Sequence, residues 1–257
     1  MNGSENQRLP HFRLAPLQKI GPECLVSATG SDRMELFILA LAQVFNDLKD
    51  LAYVSTCLSD AKPREAKINP YFGQWMGMNL HVHRLIYGLL FELFELLRKF
   101  EDQIRSPEFL KIERQMGSRT QRDWKALRKF ALGEKGGSKT EFGKCLERIR
   151  HNLSFHYYQP KQIMRGYRRH FFGIESGPHA EFAYYSIGQN MEETRFYYAD
   201  AAGQAALGEL TDGDFKNFEK ECLKAIGGVN QVLFLIVGQY IVGRSRAPSN
   251  YALERTS

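Results

Sequence analysis

Close cysteine spacings are missing from this chain. The four cysteines, Cys24, Cys57, Cys145 and Cys222, lie far apart, which excludes a zinc knuckle, a CxxC redox pair and the dense disulfide framework of a small secreted domain. Each reads as a small buried apolar residue. A nucleotide-binding loop, a nucleophile motif and a metal-ligand cluster are also lacking, so no cofactor and no metal are expected. His81 and His83, two apart on a helical pattern, point to different faces and make a poor metal pair. Near Met1 there is no basic start leading into an apolar core and a small-residue cleavage site; Glu5, Arg8 and Pro10 stand there instead. A cytoplasmic protein is the expectation. The longest apolar stretch, Val229 to Gly243, is interrupted by Asn230, Gln231 and Gln239 and falls short of the roughly 20 residues that span a bilayer. A buried helix is expected there, and no membrane partner.

What is present fits a globular chain. Hydrophobic residues make up 43% of the 257 and charged residues 25%, far from the signature of disorder and enough for a sizeable core. One elaborated domain and one domain with an insertion both remain open. The net charge of +6 is unevenly spread: residues 111–170 hold 16 Lys/Arg against 5 Asp/Glu, a net of +11, so the rest of the chain carries −5. Such a concentration attracts phosphate, because neutralising it releases condensed counterions. An ordinary solvated helical surface is the competing reading for any one lysine.

Hydrophobic periodicity predicts a mainly α-helical bundle with a small β-hairpin insertion. Residues 1–30 read as irregular, 31–243 as the bundle domain, and 244–257 as a disordered tail. Asp32 followed by Glu35 opens a helix in which Phe37, Leu41, Val44, Phe45, Leu48, Leu51 and Ala52 recur at three- and four-residue steps. A second, starting near His81, carries Val82, Leu85, Ile86, Leu89, Leu93, Leu96, Leu97 and Phe100. A third covers Thr120 to Leu132. Ser138 and Glu141 form a capping-box pattern for a fourth, with Phe142, Leu146, Ile149 and Leu153 inward, ending near Tyr158 because Pro160 follows. The aromatic runs Phe182–Ile187 and Arg195–Tyr198 predict a hairpin over about 181–199. A last helix begins near Asp212, and Gly227-Gly228 within it either bends it or admits another helix closely.

The fourth helix carries the sharpest lead. Arg150-His151-Asn152-Leu153-Ser154-Phe155-His156 resembles the signature of the HEPN superfamily: an arginine, a polar residue, and a histidine after four to six intervening residues, near the end of a bundle helix. Five intervene here. His151 fits the polar position, and Asn152 fits it if the register is read one residue later. The resemblance implies a compact bundle that dimerises through its motif-bearing helices, metal-independent ribonuclease activity with Arg150 and His156 as the catalytic pair, and a setting in toxin–antitoxin, phage-defence or RNA-processing systems. An antitoxin or other partner protein follows from the same resemblance. The tail Ala247–Ser257 resembles peptides read through the recombination sites of integron gene cassettes, which concerns gene context and not chemistry.

The chemistry stands without the family. Cleaving RNA with its own 2′-hydroxyl needs a base near that oxygen, an acid near the 5′-leaving oxygen, and positive charge on the phosphate. Histidine titrates near neutrality, and arginine grips phosphate oxygens bidentately. On a straight α-helix Arg150 and His156 stand about 120° apart, so a shared cleft is expected to draw one from each subunit of a homodimer. Asn152, four residues before His156, shares its face and is placed to orient the imidazole. Arg148, Lys161, Arg165, Arg168 and Arg169, around and after the motif, are candidates for RNA phosphate contacts. The competing readings are plainer. His156 continues the spacing of Leu146, Ile149 and Leu153 and fits a partly buried core histidine, the arginines after Pro160 fit a solvated turn, and Tyr184, Tyr185, Phe196, Tyr197 and Tyr198 fit cross-strand packing better than base stacking. A non-catalytic HEPN-fold module binding RNA or a partner protein is the alternative function.

Overall fold

The computed structural model describes residues 18–27, 32–64, 69–132, 140–154, 161–173, 182–211 and 213–245. His156 lies outside them, as do Ser138, Pro160, Asp212 and the tail 246–257. Within them the protein is mainly α-helical, in the order α1 (Arg33–Asp60), α2 (Pro70–Lys99), α3 (Glu101–Ile104), α4 (Pro107–Gln115), α5 (Ser118–Leu132), α6 (Glu141–Ile149), α7 (Lys161–Phe172), α8 (Tyr197–Leu210) and α9 (Phe215–Ser245).

The helix starts follow capping chemistry. At α1 the Asp32 carboxylate accepts from the Met34 N–H at 2.9 Å and Glu35 accepts from the Asp32 N–H at 3.4 Å, the reciprocal capping box its sequence predicts. α2 begins some ten residues before the expected start at His81. Asn69 accepts from the Phe72 N–H at 2.9 Å and Pro70 occupies the first helical position, a start that the sparse apolar pattern of 70–80 conceals. The expected Ser138 cap is corrected to Thr140, whose hydroxyl accepts from the Gly143 N–H at 3.0 Å.

α2 is the central element, packed on α1, α5, α6 and α8, while α9 packs on α1, α4 and α5. Phe37 of α1 stacks on Phe100 at 5.2 Å and meets Phe109 of α4 at 5.9 Å; Phe109 in turn meets Trp124 of α5 at 5.4 Å. All four rings are buried, and this aromatic seam locks the first half of the chain together.

Three expectations are corrected. The hairpin reduces to one antiparallel bridge, Ser186 with Arg195, whose two backbone bonds measure 2.8 and 2.9 Å, and no strand occurs among the described residues. Tyr197 and Tyr198 instead open α8, because the alanine- and leucine-rich run behind them (Ala201, Ala202, Ala205, Ala206, Leu207) favours helix and outweighs the β preference of two tyrosines. The segment after Pro160 is the helix α7, packed on α8, rather than a turn. α9 is a 31-residue helix, about 46 Å long and so long and apolar enough to cross a membrane, with 28% of its most apolar window buried. Its buried residues Phe218, Cys222, Val229, Val232, Leu233, Ile236 and Tyr240 form one stripe on the bundle, whereas Leu223, Phe234 and Val242 are exposed. Gly227 and Gly228 do not admit a neighbouring helix, since a Cβ at either would meet nothing within 4 Å.

Candidate functional site

The motif begins where α6 ends. Leu146, Ile149 and Leu153 are buried against the bundle, as their spacing predicts. From Arg150 to Ser154 the backbone winds as a π turn, and the straight-helix geometry that set Arg150 and His156 about 120° apart no longer applies. Ser154 anchors this turn on α2: its buried hydroxyl lies 3.0 Å from the Arg84 carbonyl oxygen and 3.4 Å from that of Ile149. Turns of this type are rare and concentrate at functional sites.

α2 supplies the surroundings of the turn. The Arg150 Nε donates to the Glu92 carboxylate at 2.7 Å, with the two side chains 24% and 49% exposed. His151 is exposed and meets Phe91 edge-on at 5.8 Å. Asn152 donates from Nδ2 to the Arg148 carbonyl oxygen at 2.7 Å, so this N–H is turned back on its own helix. Arg148 lies half-buried with Nη2 3.1 Å from the Cys145 sulfur. Arg84, Phe91 and Glu92 were not singled out by sequence reasoning. Glu92 stands on the polar edge of a strong amphipathic stripe, and nothing local marks it as the partner of a residue 58 positions away.

The other expected phosphate ligands sit on α7. Arg165 pairs with Glu209 of α8 at 2.8 Å, whereas Lys161, Arg168 and Arg169 are exposed and make no ion pair among the described residues. A second cationic surface lies on α4 and α5. Arg122, Lys125 and Lys129 recur at three- and four-residue steps, all exposed and without a carboxylate partner among the described residues, while Arg128 on the inner side pairs with Glu113 at 3.2 Å.

His81 and His83 do stand apart. His81 lies 3.4 Å from the Arg84 guanidinium, and burial, then Arg84, lowers its pKa. His83 lies against Tyr87 at 5.9 Å, its pKa lowered by burial against an opposing pull from Glu219. The aromatic cluster does not pack as a cross-strand core: Tyr184, Tyr185, Tyr197 and Tyr198 line a cavity of about 380 Å³ between the start of α2, the end of α7 and the start of α8. Phe196 stays outside it, 47% exposed.

Compared with known protein families, with curated proteins and with solved structures, the chain matches none.

Proposed function

We propose that this protein is a HEPN-like, metal-independent ribonuclease that acts as a homodimer and cuts RNA at the motif turn. The observation that carries the reading is the π turn Arg150–Ser154: a departure from α-helix within the motif, held on α2, with Arg150 on Glu92 and His151 on Phe91. In this reading His156 and His151 supply the proton-transfer groups. One removes the 2′-hydroxyl proton, O2′ bonds to phosphorus, the bond from phosphorus to O5′ breaks, and O5′ takes up a proton, leaving a 2′,3′-cyclic phosphate and a 5′-hydroxyl end. Arg150 stabilises the phosphate as it gains negative charge, exchanging its contact with Glu92 for phosphate oxygens. The cations of α4, α5 and α7 hold the strand nonspecifically. A toxin–antitoxin or phage-defence setting, with an inhibitory partner protein, belongs to the same proposal and rests on the motif resemblance.

One observation favours the second reading, a non-catalytic bundle that binds RNA or a partner protein. The Arg150–Glu92 pair and the Arg148 contact with Cys145 are arrangements that a purely structural turn would also use. Chelator-treated protein, offered RNA oligonucleotides with and without a single 2′-deoxy position, separates the two. Cleavage that stops at the deoxy position supports the ribonuclease; saturable binding with every oligonucleotide intact supports the binding module.

A further inference from the structure

The cavity beside the Ser186–Arg195 bridge is built from parts that hold one another in place. Gly73 of α2 lets the Tyr197 ring lie directly on the helix backbone, where a Cβ would come within 2.4 Å of that ring. The Tyr197 hydroxyl is 3.0 Å from the Ser186 hydroxyl and donates to the Pro70 carbonyl oxygen at 3.3 Å. Arg195 ties the bridge to two helices: Nε donates to the Asp200 carboxylate at 2.9 Å and Nη1 to the Gln74 side-chain oxygen at 3.0 Å. Gly77 admits that guanidinium, since a Cβ there would lie 1.8 Å from Nη2. The walls facing the cavity are therefore largely pre-formed, which lowers the ordering cost of binding.

The chemistry of the lining narrows the ligand. Phe72, Phe171, Tyr184, Tyr185, Tyr197 and Tyr198 offer aromatic surface, which attracts planar rings by stacked or edge contacts. Among the described residues no lysine or arginine lines the cavity, so nothing there holds an anion. Among the described residues its one carboxylate, Asp200, is matched by Arg195 at 2.9 Å, so what remains to attract a cation is the faces of the rings alone. Around the aromatic walls stand groups that donate and accept hydrogen bonds, among them the Gln204 amide, the tyrosine hydroxyls and the His170 ring. A volume of about 380 Å³ falls in the range of pockets for small organic molecules.

We propose that this cavity binds a planar, uncharged nitrogen heterocycle of nucleobase size, presented either as an unstacked base of a single RNA strand or as a free small molecule. Burial lowers the His170 pKa, which keeps its ring neutral near pH 7 and preserves one acceptor and one donor for such a ring's edge. The site is separate from the motif turn: Gly73 and Glu92 lie 19 residues apart on α2, about 28 Å along its axis. Its occupancy does not depend on whether the motif cleaves RNA.

The test pairs the full-length protein with the variant Phe182→Ala/Tyr185→Ala, two exposed rings at the cavity whose loss spares the core; circular dichroism establishes that both fold alike. Adenosine, guanosine, cytidine and uridine are titrated by calorimetry beside choline, a cation, and beside inorganic phosphate. Single-stranded RNA carrying one 2-aminopurine is followed by its fluorescence. The expected result is saturable binding of at least one nucleoside, weakened roughly 5- to 100-fold in the variant as lost stacking predicts, with choline and phosphate not bound. Loss of 2-aminopurine quenching in the variant identifies an RNA base as the occupant; nucleoside binding without any effect on the RNA signal identifies a free small molecule. Tighter binding of choline or phosphate than of every nucleoside overturns the proposal, as does nucleoside binding that the variant leaves unchanged, or no nucleoside binding at all.

Discussion

His83, a half-buried side chain, ties stability to pH. It stands on α2 in a groove lined also by α8 and α9, beside Tyr87 of its own helix, with Asn79, Gln204 and Glu219 in the same lining. Burial lowers its pKa from the ordinary 6.5, and Glu219 opposes this. On acidification the unfolded chain therefore takes up a proton before the folded one does. Above about pH 6.5 the residue is neutral in both states and contributes no slope; as pH falls below that, stability is lost until the folded pKa is passed. Thermal melts between pH 5 and 8 are expected to show the midpoint dropping on the acid side, with His83→Gln flattening the drop. An unchanged profile in the variant would assign the acid sensitivity to His81 or His170, both also lowered by burial.

Among the elements, the α7–α8 pair is the tightest contact and gives the clearest test of packing. Gly166 of α7 faces the α8 backbone: a Cβ there would stand 2.2 Å from the Ala202 carbonyl oxygen and 2.8 Å from the Ala206 nitrogen. Backbone atoms cannot rotate aside, so Gly166→Ala is expected to cost about 1–3 kcal/mol as an overpacked contact. A Cβ on Gly228 in α9 would meet no described atom within 4 Å outside its own helix backbone, and Gly228→Ala is expected to stabilise by about 0.5–1 kcal/mol, the helix-propensity difference alone. Urea unfolding of the two variants reads both signs; a Gly166→Ala protein as stable as its parent would mean that α7 and α8 do not approach so closely.

The same elements show what a sequence can and cannot disclose. The caps of α1, the stripe of the α2 C-terminal half and the inward face of α6 were legible because cap chemistry and apolar periodicity are local. α7 and α8 were not. Their cohesion lies in a small-residue contact between helices far apart in sequence, and Tyr197-Tyr198 carry a β preference that the following alanines override. The π turn was equally hidden, since the Ser154 contact with Arg84 spans 70 residues. In the candidate site, the motif residues were read directly, whereas Glu92 and the cavity required the fold.

Across the whole molecule, charge gathers RNA and the motif acts on it in the proposed reading. If Arg122, Lys125 and Lys129 contact RNA phosphates, replacing all three with glutamine is expected to reduce the salt slope of log affinity by about 2 for single-stranded RNA. Filter binding between 50 and 300 mM salt measures it, and an unaltered slope would move the RNA surface to α7 and the motif. The decisive measurement is RNA cleavage in chelator by folded Arg150→Ala and His156→Ala proteins, compared with the parent and with RNA affinity measured alongside. His156→Ala is expected to abolish cleavage while affinity stays nearly intact, and Arg150→Ala to damage both, because it removes a charge-assisted contact worth about 1.5–3 kcal/mol and the stabilisation of the transition state. A folded His156→Ala protein that cleaves RNA at the parental rate would overturn the catalytic role of His156.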